Sequence, residues 1–216
     1  MKVILTKYKD VVDINHKMQK GITALHVMCK IKSNLREGDK MFLSMKNLKI
    51  NEKEINCKLA PLHVAILCNH LETVAELLDN PSIDVNIQDN LKNTPLHYAF
   101  QLKIHISPSE SIQLDDHIEI LKLLLHSSKR KANVMLKNSE FRLPIQLFIL
   151  NNNYKAPVHS NDNLTNEIYS KYISILELFV QNKLNDALKK KIKEWLPVKI
   201  IKDSKILTKE LLEESS

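Results

Sequence analysis

Nine histidines and three cysteines are the residues of this 216-residue chain best suited to chemistry. Histidine can ligate a metal or move a proton near neutral pH, and a cysteine thiolate can ligate or attack. Spacing decides between these uses. His26 precedes Cys29 by one helical turn and His70 follows Cys68 closely, yet no second Cys/His pair stands at zinc-site spacing. No metal or cofactor is expected. The odd set Cys29, Cys57 and Cys68 has no CxxC pair, which points to reduced thiols in a cytoplasmic setting. His159, Ser160 and Asp162 supply the residue types of a hydrolase triad. One Asn-rich loop cannot hold nucleophile, base and orienting acid in register, so these are expected to be solvated.

Glycine is scarce. Gly21 and Gly38 are the whole supply, too few for a P-loop or a dinucleotide fingerprint, and neither GxSxG nor HExxH occurs. The net charge of +7 comes almost entirely from lysine, with Arg36, Arg130 and Arg142 the only forked donors. Few aromatics accompany it, which disfavours nucleic-acid recognition. No apolar run approaches the roughly 20 residues of a membrane span, and the apolar patch after Met1 is too short for an export signal. Two alternatives stay open: a small catalytic region within 151–216, and lysine-mediated binding of nucleic acid or an anionic membrane.

The elements that must position these residues show as a repeat. In "TPLHYAF" (94–100), Thr94 offers a capping hydroxyl and Pro95 suits the first helical position, where no N–H is needed. Leu96, Ala99 and Phe100 then share one apolar face. "APLHVAI" repeats this with Pro61, Leu62, Ala65 and Ile66; "ITALHVMC" repeats it with Thr23, Leu25, Met28 and Cys29. His26, His63 and His97 are 37 and 34 residues apart, the period of a stacked array. A helix-start histidine that recurs in three units is structural, tying each turn to its neighbour. Thr94, Pro61 and Pro95 are structural in the same sense.

These motifs resemble the ankyrin repeat, whose unit runs from a glycine turn through Thr-Pro-Leu-His-x-Ala-Ala and Gly-His to a leucine-rich helix and Asp-Val-Asn. Asp13-Ile14-Asn15 and Asp84-Val85-Asn86 match the last element; Asn69-His70 and Asp116-His117 stand where Gly-His belongs. Val74, Leu77 and Leu78 form one second helix, and Ile120 to Leu125 another. "LPIQLFIL" (143–150) opens a degraded fourth unit.

The resemblance implies an all-α ankyrin-repeat solenoid of about four stacked helix-turn-helix repeats with short β-hairpin-like turns. The repeats fall near 12–50, 51–86, 87–134 and 135–180, with insertions near 101–116 and 151–166. Residues 181–216 would supply a C-terminal capping helix, with Leu184, Leu188, Ile192 and Trp195 inward, and an acidic tail. Lys58 and Lys92 replace the turn glycine, and Asn69 and Asp116 the mid-repeat glycine, so left-handed backbone is expected at these positions.

The same resemblance implies no built-in catalysis but a concave surface that grips another protein. Its turn tips map to Gln19, Lys20 and Ile22; Asn56, Cys57 and Leu59; Asn90, Leu91 and Asn93; Ser139, Glu140 and Arg142. Its helix positions map to Lys30, Ile31, Leu67, Cys68, Gln101 and Leu102. Ile22, Ile31, Leu59, Leu67, Leu91 and Leu102 are expected to form an exposed apolar core, with Lys20, Lys30 and Arg142 at the rim. The competing expectation is that the insertions fold over this groove.

At the C-terminus, Glu210, Glu213 and Glu214 form a short acidic stretch, expected to be disordered. It resembles the Glu-rich signals of effectors exported by type IVB secretion systems of intracellular bacteria. Together with a Lys-, Asn- and Ile-rich composition, that resemblance implies a protein delivered into a host cell, with a host protein as partner.

Overall fold

The computed structural model describes residues 13–31, 37–101, 111–126, 130–152, 163–182 and 184–212. Regular structure among them is helical. Helices α1 (Ala24–Lys30) and α2 (Glu37–Leu43) form one pair, α3 (Pro61–Leu67) and α4 (Leu71–Asp79) the next. Then come α5 (Pro95–Phe100) with α6 (Ser111–His126), and α7 (Pro144–Asn152) with α8 (Asn163–Val180). Three further helices follow, α9 (Asp186–Trp195), α10 (Val198–Lys202) and α11 (Lys205–Leu211).

The first helices stack in one row, α1 on α3 on α5 on α7, and the second helices in another, α2 on α4 on α6 on α8. Apolar spacing explains this arrangement. Leu25, Leu62, Leu96 and Ile145 occupy one helical position in successive units, and each is at most 1% exposed. Burying a side chain of this size contributes about 1.5–3 kcal/mol, which these short helices need because isolated six- or seven-residue helices do not persist.

Chain reversal between the rows is set by Asn69, whose φ is 55°. Its N–H donates to the Ile66 carbonyl and the His70 N–H to the Ala65 carbonyl, which closes α3 in a Schellman motif. Asp116 does not repeat this role. It lies inside α6, because that helix starts at Ser111, within the expected insertion, and runs straight through the position. Residues 102–110 and 153–162 of the two insertions lie outside the described residues, as do Leu102, His159, Ser160 and Asp162.

On the far side of the stack, three asparagines tie each segment that joins two units to the next such segment. The Asn15 amide donates to Asn47 O and accepts from Lys49 N–H, at 2.8 and 2.7 Å. Asn51 does the same with Ser82 O and Asp84 N–H, and Asn86 accepts from Asn133 N–H. Between the third and fourth units the core turns aromatic. Phe100 meets Phe148 and Phe179 edge-on at 5.9 and 5.6 Å, and Phe148 stacks on Tyr172 at 5.0 Å.

The C-terminal end departs from the expected single helix and disordered tail. Pro197 stops α9, as its missing N–H requires, but two more helices follow. Ser204 caps α11 by accepting the Leu207 N–H, and Leu207 and Leu211 are buried where α11 packs on α8 and α9. Glu210 is part of α11 and pairs with Lys189 of α9. Glu213 and Glu214 lie outside the described residues.

Candidate functional site

The repeated histidines are occupied by the fold. Nδ1 of His26 accepts the Thr23 N–H at 3.2 Å, and Nδ1 of His97 accepts the Thr94 N–H at 3.1 Å. That leaves the proton on Nε2, which donates to Leu59 O in one case and Arg142 O in the other, each at 3.1 Å. His63 caps Ala60 N–H in the same way, while its Nε2 forms no well-shaped hydrogen bond among the described residues. Its ring packs edge-on against Tyr98 at 5.3 Å. Burial lowers the pKa of all three imidazoles, that of His63 to about 4, so they stay neutral at pH 7. Burial also pushes the Cys29 thiol far up, whereas Cys57 is exposed. No cluster of three His, Cys, Asp or Glu among the described residues could hold a metal.

In the fourth unit Gln146 takes the histidine's place. Its Oε1 accepts the Leu143 N–H at 2.7 Å, which satisfies the same helix start without a ring.

Ahead of each first helix stands a tight turn, closed by one backbone bond: Met18 N–H to Ile22 O, Glu54 to Leu59, Asp89 to Asn93, Asn138 to Arg142. Three of these turns gather their inward N–H groups on a single acceptor side chain. Asp89 takes Leu91 and Asn93, and Asn138 takes Glu140 and Arg142. The turn from Glu54 to Leu59 is one residue longer. The extra methylene of glutamate lets its carboxylate reach Asn56, Cys57 and Leu59. Desolvation opposes the charge of Glu54, but these three N–H bonds outweigh it and hold its pKa below the usual value.

Turn also bonds to turn. Lys20 O accepts from Ile55 N–H at 2.7 Å, Cys57 O from Asn90 at 2.9 Å, and Leu91 O from Ser139 at 2.8 Å. The tips therefore form one continuous ribbon. Left-handed backbone recurs along it, with φ of 62° at Lys20, 59° at Lys58 and Lys92, and 58° at Phe141.

Asn93 is corrected by this geometry. It is 4% exposed, donates to Asp89 and accepts from the Asn138 amide at 3.0 Å. It joins the third turn to the fourth. Asp89 completes the network by accepting the Tyr98 hydroxyl at 2.6 Å.

Of the other mapped residues, Ile31, Leu67 and Leu91 are exposed, as are Lys20, Lys30, Asn90 and Arg142. Arg142 pairs with Glu140 at 3.0 Å. Ile22, Leu59, Cys68 and Gln101 are half-buried. Four exposed apolar residues on this face escaped the sequence reading: Val27, Ile55, Phe141 and Leu150. Leu150 falls in the helical register of Lys30, Leu67 and Gln101, so register would have found it. Ile55 is the extra residue of the long turn, and Phe141 stands at the turn-glycine position. A cleft of about 350 Å³ lies between the third and fourth units, lined by Leu91, Gln101, Ser139, Glu140, Arg142, Leu147 and Asn151 among others.

Residues 38–138 match the family model described as ankyrin repeats in three copies. Alpha-latrotoxin-Lg1a of Latrodectus geometricus is 33% identical over 95 residues, 44% of this chain. Alpha-latrotoxin-Lh1a of Latrodectus hasselti is 32% identical over 87 residues, 40% of this chain. The chain spans 7% and 6% of the lengths of those two relatives. Among solved structures, the ankyrin repeat domain of Bcl-3, a unique member of the IkappaB protein family, matches with a TM-score of 0.49 at 24% identity. That match covers 63% of this chain and 51% of the other. Residues 38–138 match ankyrin repeats, and the stacked helix pairs have the ankyrin-repeat fold.

Proposed function

We propose that this chain is a non-enzymatic binding module that holds another protein against the face made by the turn ribbon and helices α1, α3, α5 and α7. The observation that carries this is where exposed apolar side chains gather. Val27, Leu67 and Leu150 lie on the first helices and Ile31 just past α1; Ile55, Leu91 and Phe141 lie at the tips. An apolar strip of this kind is costly to leave in water and marks a partner site. The mechanism is occlusion or scaffolding.

The test is a double variant, Leu67→Asp with Leu91→Asp. Both positions are more than half exposed, at 52% and 55%, so the array stays folded. Affinity capture from a eukaryotic lysate is expected to lose its partner while circular dichroism and the melting temperature hold. Unchanged capture would overturn the reading.

In the finer form of this reading the partner is a host protein and the chain an exported effector. Its support is the Glu-rich C-terminal stretch and the Lys-, Asn- and Ile-rich composition. Replacing Glu210, Glu213 and Glu214 by Gln in a reporter fusion is expected to abolish translocation from a bacterium with a type IVB system. Translocation at the unmodified level would sink it.

A further inference from the structure

Carboxylates and ammonium groups on the turn ribbon are used in opposite ways. Glu54 and Asp89 turn inward onto backbone N–H groups. Glu140 pairs with Arg142, and Glu52 with Lys17. Little negative charge is left to face outward. Lys20, Lys58 and Lys92 are exposed, and their ammonium groups enter no ion pair among the described residues.

These lysines also sit where lysine is a poor choice. Each has left-handed backbone, which glycine adopts freely and other residues adopt at a cost. Lys58 and Lys92 hold the turn-glycine position, which is Phe141 in the fourth turn, 79% exposed and at φ 58°; in the first turn Gly21 holds it and Lys20 directly precedes it. Strained backbone kept at successive tips under exposed charge, then under an exposed ring, points to side chains retained for contact.

Resting on the protein-binding reading above, we propose that the turn ribbon recognises an acidic protein segment laid along the tips. Carboxylates meet Lys20, Lys58 and Lys92 in turn, and an apolar side chain meets Phe141. Packed helices lie about 8–10 Å apart. Three residues of polyproline II chain rise about 9 Å and complete one turn, so such a segment with an acid at every third residue keeps step with the ladder and presents its acids on one side. Ile55 and Leu91, between the lysines, take its apolar side chains. Single-stranded nucleic acid would want stacking rings at successive tips and forked donors for phosphate; three of the four tips lack a ring, and Arg142 is already paired.

The experiment selects random 12-residue peptides, displayed on phage, against the immobilised full chain. The selected set is expected to be rich in Asp and Glu at three-residue spacing with an apolar residue toward one end. Its binding is expected to weaken about tenfold between low and high salt. The triple variant Lys20→Gly, Lys58→Gly, Lys92→Gly removes the charges and relieves the backbone. It is expected to melt no lower than the parent yet bind the acidic peptides at least about tenfold more weakly. A neutral or basic selected set, no enrichment, or equal binding by the triple variant overturns the proposal. So does displacement of the peptide by an oligothymidylate at equal affinity. If the triple variant still captures the lysate partner that the Leu67/Leu91 variant loses, the acidic specificity falls and the groove reading stands.

Discussion

Nε2 of His97 lies 3.1 Å from the carbonyl oxygen of Arg142, 45 residues further along the chain. The same ring accepts the Thr94 N–H through Nδ1. One imidazole thus caps its own helix and clamps the turn of the next unit. His97→Ala removes both bonds and leaves buried polar groups unpaired, so a loss of about 2–3 kcal/mol in urea unfolding is expected. His97→Gln should cost about 1 kcal/mol, because Gln146 shows that a glutamine can serve the helix start. Equal losses for the two variants would mean that the helix-start bond contributes nothing, and no loss for the glutamine variant would mean the same of the clamp.

Acid should weaken the array in a defined window. An unfolded histidine takes up a proton near pH 6.5, whereas burial holds the folded His63 at about 4. Between those values the unfolded state binds more protons, so stability is full above about pH 6.5 and falls as pH drops toward 4. The gap corresponds to about 3 kcal/mol for this fully buried ring. His26, His97 and His117 are lowered by burial as well, against the opposing pull of their carbonyl partners, and act in the same direction. Melting temperatures at pH 7, 5.5 and 4.5 should fall in that order. His63→Gln should flatten the trend, and a slope unchanged by that substitution would contradict it.

Legibility in the sequence followed the range of each interaction. Leu62, Pro95 and Asn69 act within their own unit, and the 37- and 34-residue spacing of the histidines places them directly. Asp116 has the right type and register, but the residues before it extend α6 and cancel the turn. Asn93 has the register of a turn tip, but its role depends on Asn138, 45 residues away, and no local pattern announces that bond. Ile55 hid in a one-residue lengthening of a turn. The helix α11 did leave a signal, Ser204 followed by Leu207 and Leu211 at i,i+4 spacing, which the neighbouring glutamates obscured.

The end of the stack offers a third expectation. Leu207 is fully buried where α11 covers α8 and α9. Leu207→Asp places an unpaired charge there, and a loss of at least about 3 kcal/mol is expected. Because solenoid units couple to their neighbours, hydrogen exchange should rise first in α8 to α11 and least in α3. Uniform loss of protection along the whole array would instead make the chain a single cooperative block.

Asp89 is the residue on which the third turn depends. Its carboxylate accepts the N–H groups of Leu91 and Asn93, the Asn93 amide and the Tyr98 hydroxyl. Asp89→Ala leaves these donors buried without an acceptor, which should cost about 3 kcal/mol or more. Asp89→Asn keeps the oxygen that serves the backbone and turns the other position into a donor, which the Tyr98 hydroxyl can accept by rotating while the Asn93 amide loses its acceptor. It should therefore cost about 2 kcal/mol, less than the alanine variant. Since Asn93 passes the restraint on to Asn138, the alanine variant should also loosen the fourth turn, seen as faster exchange at Glu140 and Arg142. Protection unchanged at those two amides would show that the turns are held independently, and the ribbon would then be a row of separate loops.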